Sequence, residues 1–255
     1  MTLFLTSSPC WDDVPEGCDL PCVFDERNGF VGALREAVAP GARCAFVASD
    51  PSTYDRLEEF ADTFARCFAW HGMPFSNVTL LDNRTAHQAE RIIREADVLI
   101  LAGGPVPTQN AFFNRIGLRA LMEDFDGVVM GISAGTMNCA DVVYAQPEMP
   151  SESVDPDYER FLPGLGLTNL NILPHYQKER DTILDGRRLY DDITYDDSHG
   201  HAFLVLVDGS FVFSENGQET LCGEAYVIRD GILYEVCHEG EDVPLDDLRD
   251  LLGGE

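Results

Sequence analysis

A hydroxyl becomes a nucleophile when a base takes its proton, a third group orients that base, and the hydroxyl stands on an exposed turn. The stretch Val128-Val129-Met130-Gly131-Ile132-Ser133-Ala134-Gly135-Thr136 offers such a turn. An apolar run ends in Gly-x-Ser-x-Gly, and the small, helix-compatible residues Met137-Asn138-Cys139-Ala140 follow it. This is the order a nucleophile elbow requires. A buried strand delivers the serine, and a helix starting behind it aims free N–H groups at the site. Glycines on either side leave space that a Cβ would fill.

The base must come from six histidines. His71 and His87 fall in helices and His238 near the polar C-terminus. His199 and His201 lie beside Asp196 and Asp197 in an acidic loop, where the composition reads as a solvated segment and no metal is assigned. His175 closes the apolar run Asn171-Ile172-Leu173-Pro174, so it too sits at a strand end.

The elements that must position these residues alternate. Leu3–Thr6, Arg43–Ala48, Val78–Leu81, Val98–Ala102 and Gly127–Ile132 read as strands. Helices are expected over 29–39, 54–71, 85–95 and 110–124, with apolar residues at helical spacing in the second (Leu57, Phe60, Ala61, Phe64, Phe68). Continuous apolar strands between helices predict an α/β fold, a mostly parallel sheet flanked by helices on both faces. Ligands bind such sheets beyond the strand carboxyl ends, where both Gly103-Gly104 and Ser133 fall. Further along, 146–162 reads as loop, 179–190 as helix and 191–201 as acidic loop. From Phe203 onward short apolar runs alternate with turns at Asp208-Gly209, Asn216-Gly217 and Asp230-Gly231, a β-hairpin-rich C-terminal part. With no linker, repeat or low-complexity tract, residues 1–255 are expected to form a single domain.

Composition narrows the partners. With 17 basic and 45 acidic residues the net charge is −28, which argues against nucleic acid and anionic membranes. No apolar run approaches the roughly 20 residues needed to span a bilayer, and the N-terminus lacks the pattern of a signal peptide. A cytoplasmic protein is expected, its eight scattered cysteines reduced. Cys18-x-x-x-Cys22 has no second pair at metal spacing, so zinc is not expected.

Gly-Gly in a strand-end loop, Gly-x-Ser-Ala-Gly about 27 residues later, Pro-His-Tyr and an acid-Gly segment in the β-rich tail occur here in one order. In this the chain resembles peptidase E, the serine aspartyl dipeptidase family, over nearly its whole length. The resemblance implies a flavodoxin-like, class I glutamine amidotransferase-like fold. It implies that Ser133 is the nucleophile and His175 the base. The family's glutamate in Leu-Pro-Glu-Gly matches Asp208 in Leu206-Val207-Asp208-Gly209, the implied third member. Gly104 and Ala134 match the oxyanion-hole donors, although Ala102-Gly103-Gly104-Pro105 replaces the family's Gly-Gly-Gly-Asn. Glu148, where the family also carries an acid, is the reserve for the orienting role. Arg180 and Arg187, with Arg188, are candidates for gripping a substrate carboxylate.

The function expected is a serine peptidase hydrolysing short peptides, dipeptidase-like, through an acyl-enzyme, as monomer or homodimer and without a cofactor. Two rivals stay open. An esterase of the α/β-hydrolase type orders its triad Ser, acid, His, and would use His201 or His238. A non-catalytic amidotransferase-like binding protein would carry an idle serine. Glutaminase chemistry needs a cysteine at the elbow, and Cys139 lies six residues beyond it.

Overall fold

The computed structural model describes residues 1–11 and 13–253. Five apolar segments form a parallel core sheet in the order Thr2–Thr6, Val128–Ile132, Val98–Leu101, Arg43–Val47, Asn77–Leu81. Most of their side chains are buried, and all five of Val128–Ile132 are, which is why these strands carry no polar alternation. Three antiparallel strands, Phe211–Glu215, Gln218–Cys222 and Asp242–Pro244, extend the sheet beyond Thr2–Thr6. The result is a mixed α/β molecule around a large, mostly parallel sheet. Helices Phe30–Ala37, Tyr54–Trp70, Ala89–Glu95 and Val106–Ile116 occupy the segments between its first strands. The helix expected over 110–124 begins earlier, with Pro107 in its first turn, and breaks at Gly117, whose φ of 66° no other residue type adopts as readily.

A second sheet decides the site. It runs Asn171–Leu173, Ala202–Leu206, Ala225–Arg229, Ile232–Cys237, and its first pair is parallel, with Leu173 opposite Val205. Chain that continues past Leu173 and past Val205 therefore emerges side by side. The hairpin turns at Asn216-Gly217 and Asp230-Gly231 both place two residues at positive φ, the geometry that matches strand twist.

Two stretches depart from expectation. The helix predicted over 179–190 is instead a single turn, Tyr176–Glu179, followed by the short strands Ile183–Leu184 and Arg187–Arg188. Asp185 and Gly186, at φ 53° and 80°, form the same kind of turn as the other hairpins, and this outweighs the helical spacing around them. The expected acidic loop is partly helical, a π-helical turn over Tyr190–Thr194 leading into Tyr195–Asp197. Phe161–Pro163, whose first two residues fall in the expected loop, pairs with Val142–Tyr144.

Candidate active site

The elbow is built by steric exclusion. Ser133 has φ 51° and ψ −112°, a strained conformation for an L-residue, between the strand Val128–Ile132 and the helical turn Ala134–Met137. A Cβ on Gly131 would lie 2.8 Å from the Thr136 backbone, and one on Gly135 would lie 2.1 Å from the Leu101 carbonyl oxygen. Only glycine lets strand and helix approach this closely. The neighbouring strand fastens the turn: Ser133 N–H donates to the carbonyls of Thr6 and Ser7 at 3.1 and 3.2 Å. The Thr136 hydroxyl donates to Thr6 O at 2.8 Å.

The other half of the site is built by hydrogen bonds. His175 follows Leu173 and Asp208 follows Val205, so the parallel register delivers the imidazole and the carboxylate together. The Asp208 carboxylate can only accept, so His175 Nδ1–H donates to its Oδ1 at 2.6 Å. That fixes the tautomer, and Nε2 is left to accept from the Ser133 hydroxyl at 2.9 Å. His175 and Asp208 side chains retain 28% and 14% exposure, open enough for substrate and closed enough to strengthen the pair.

The Asp208 carboxylate has three further partners. Ser7 Oγ donates to its Oδ1 at 2.8 Å while accepting the His175 N–H at 2.8 Å, so one hydroxyl holds histidine and aspartate at once. The Ser8 N–H also donates to Oδ1, and Lys178 Nζ lies 2.8 Å from Oδ2. Burial alone would raise the Asp208 carboxyl. The hydrogen bond and charge of His175, with Lys178 and Ser7, overcome it and hold the group well below the usual carboxylate range. Tyr176 fixes the turn after the base, its ring 5.2 Å from Tyr190 and 5.0 Å from Tyr226.

Ala134 heads the helical turn directly behind Ser133, and Gly104 borders the same cleft. Neither backbone N–H donates elsewhere among the described residues. Their spacing is maintained by a buried amide network that sequence inspection missed. Asn138 donates to Val106 O, Gln109 Oε1 and Ala134 O, and Gln109 donates to Ala102 O at 2.7 Å. A Cβ on Gly104 would lie 2.3 Å from Ser49 Oγ, so this loop too is closely packed.

The remaining predicted residues divide. Glu148 lines the cleft with Ser133 and Glu179 but does not reach His175. Although the residue as a whole is exposed, its carboxyl faces the crowded cleft wall. Burial and the charge of Glu152 raise it to about 7, against the pull of the Val106 N–H. Arg180 is paired with Asp181, Arg187 donates to the carbonyls of Ser153 and Asp192, and Arg188 grips Asp191 and Asp192. None of the three lines the cleft at Ser133. The cation that does is Arg56, in the first turn of Tyr54–Trp70. Its place just past the carboxyl end of Arg43–Val47 was the available signal. His201 stacks on Phe161 and His238 pairs with Glu235, so neither neighbours the serine. Cys139 is fully buried and donates to Gly135 O. All eight cysteines are free, and Cys10 and Cys22 form part of the cleft wall. Among the described residues, no group of three or more His, Cys, Asp or Glu side chains is arranged to hold a metal ion. No helix there is long and apolar enough to cross a membrane.

A search of curated proteins finds no match. Among solved structures, the crystal structure of a protein from Listeria monocytogenes EGD-e, described as a candidate peptidase E, superposes with a TM-score of 0.58 at 16% identity. The match covers 92% of this chain and 98% of that one, a likeness of fold. The sequence profile of peptidase family S51 matches residues 30–221, a span that contains Ser133, His175 and Asp208. The chain belongs to peptidase family S51 and is a peptidase.

Proposed function

We propose that this peptidase hydrolyses short peptides, dipeptides among them, through an acyl-enzyme on Ser133. One observation carries the reading: an unbroken hydrogen-bond relay from the Ser133 hydroxyl through His175 to Asp208. Ser133 Oγ attacks the peptide carbonyl as its proton passes to His175 Nε2. Asp208 stabilises the imidazolium that forms. Charge developing on the carbonyl oxygen is met by the N–H groups of Gly104 and Ala134, donors fixed in advance by the Asn138 network. The imidazolium then gives its proton to the leaving amine, and a water molecule repeats the sequence to release the acid and restore the serine. Aspartate in place of the family glutamate is accommodated because Val207-Asp208 lies beside His175 through the parallel register, and the shorter side chain suffices.

Within this reading the enzyme is a single domain over 1–255 of the class I amidotransferase-like type, supported by the parallel order around the elbow strand. It acts without a cofactor, in the cytoplasm, as a monomer or homodimer. Ser133→Ala is expected to cut turnover of a dipeptide panel by on the order of 10⁴–10⁶-fold while the fold persists. A fluorophosphonate probe should label wild type on Ser133 and leave the variant unlabelled. Undiminished hydrolysis by Ser133→Ala would refute the mechanism.

A further inference from the structure

Ser133 and His175 stand where two hollows of opposite chemistry meet. The smaller, 390 Å³, carries the carboxylates of Glu148 and Glu179 among its prolines. The larger, 830 Å³, is walled by Phe46, Phe60, Phe64, Ile132, Pro9 and Pro21. Phe46 and Phe64 are 1% and 4% exposed, which makes them its floor, whereas Phe60 is 40% exposed at the mouth. Arg56, Phe60 and Phe64 follow one another at four-residue intervals on Tyr54–Trp70, so a single helix face lines the hollow. Phe60 lies beside the core stripe of that helix (Leu57, Ala61, Phe64, Phe68), an aromatic ring held open to the cleft and not packed inward.

The charges at the mouth decide what the hollow admits. Among the described residues lining either hollow, Arg56 is the one arginine or lysine, and its guanidinium lies 5.5 Å over the Phe60 ring. Asp55 and Glu59 line the same hollow and counter it. A substrate carboxylate entering here would lose its water against three phenyl rings and meet two anions and one cation. A large uncharged side chain would bury apolar area and lose nothing.

We infer that the larger hollow is a subsite for an aromatic or large aliphatic side chain next to the scissile bond, so that the substrates are apolar short peptides and not acidic ones. This rests on Ser133 being the nucleophile.

The test is a matched dipeptide panel with Phe, Leu, Ala or Asp at each of the two positions in turn. At one position, kcat/KM for Phe or Leu is expected to exceed that for Ala by at least about tenfold, the usual weight of lost methylenes in an apolar pocket. Asp should be the poorest substrate there. Phe60→Ala should collapse the Phe-to-Ala ratio toward one, and Trp70→Ala, on the same helix and outside the hollow, should leave that ratio as it was. Equilibrium binding of the same peptides to Ser133→Ala separates this inference from the nucleophile assignment, because it reads the hollow without turnover. Tighter binding of Phe peptides there supports the subsite even if fluorophosphonate never labels wild-type Ser133. Preference for Asp at both positions, or equal loss for all substrates in Phe60→Ala, overturns it.

Discussion

The two halves of the candidate active site are made by different physics. The Ser133 half rests on the central sheet and is held by shape: two glycines, whose Cβ atoms would meet backbone at 2.8 and 2.1 Å, force the strained turn. The His175–Asp208 half grows from the second sheet and is held by polar bonds to Ser7, Ser8 and Lys178. The first arrangement tolerates no added atom and the second no missing donor. Damage to the first should therefore appear as lost stability, and damage to the second as lost rate in a folded protein.

Asp208→Asn tests that division most severely. An amide cannot hold the Nδ1–H tautomer, and turnover of a dipeptide should fall by about 10⁴-fold, with the thermal midpoint nearly unchanged. A midpoint that collapses along with the rate would erase the distinction between the halves. Ser7→Ala removes one donor from a charged acceptor, a loss of about 1.5–3 kcal/mol. It should lower kcat roughly 10–100-fold, and add little in an Asp208→Asn background, where the group it helps to orient has already lost its function. Full additivity of the two changes would show that Ser7 acts independently of the acid.

On the steric side, Gly135→Ala drives a methyl into the Leu101 carbonyl and should cost about 1–3 kcal/mol. Calorimetry should record it as a midpoint drop of about 2–4 °C per kcal/mol. A fully stable Gly135→Ala protein would mean that the strand and helix can separate without cost. The smallest effect concerns Glu148, whose carboxyl is raised from 4.5 to about 7 by burial and by Glu152. The folded state then holds a proton that the unfolded chain releases, so stability falls as pH climbs from about 4.5 to about 7. Glu148→Gln should flatten that part of the denaturation profile. An unchanged slope would place the carboxyl in water.

The same division explains what could be read from the residues alone. Steric demands are local: Gly131, Ser133 and Gly135 lie within five residues, and the apolar run before them names its own strand. Ser133 and His175 were each legible as strand-end residues, and Asp208 only as the match of a family segment at a turn before glycine. Ser7 was not, because its partners are 168 and 201 residues away and a serine after a strand has no distinctive spacing. Asn138 was hidden for a similar reason, its amide network joining segments 29 and 32 residues apart. The arginines after His175 were read from charge and proximity in sequence, yet the Asp185-Gly186 turn carries Arg187 and Arg188 onto a hairpin that uses them internally. Arg56 reaches the cleft instead, from a helix whose amphipathic pattern spoke only of its buried face.

The first strand has a practical consequence. Its near end supplies Ser7 and Ser8 to Asp208 and His175, and its far end leaves the Met1 ammonium 2.7 Å from the exposed Asp126. Five residues of strand separate the two, on the order of 17 Å. A purification tag or fluorophore joined to Met1 would forfeit one solvent-exposed ion pair of little worth and remain remote from the chemistry. Trimming the same terminus by eight residues, a routine step in preparing proteins for crystallisation, would remove the hydroxyl that ties histidine to aspartate.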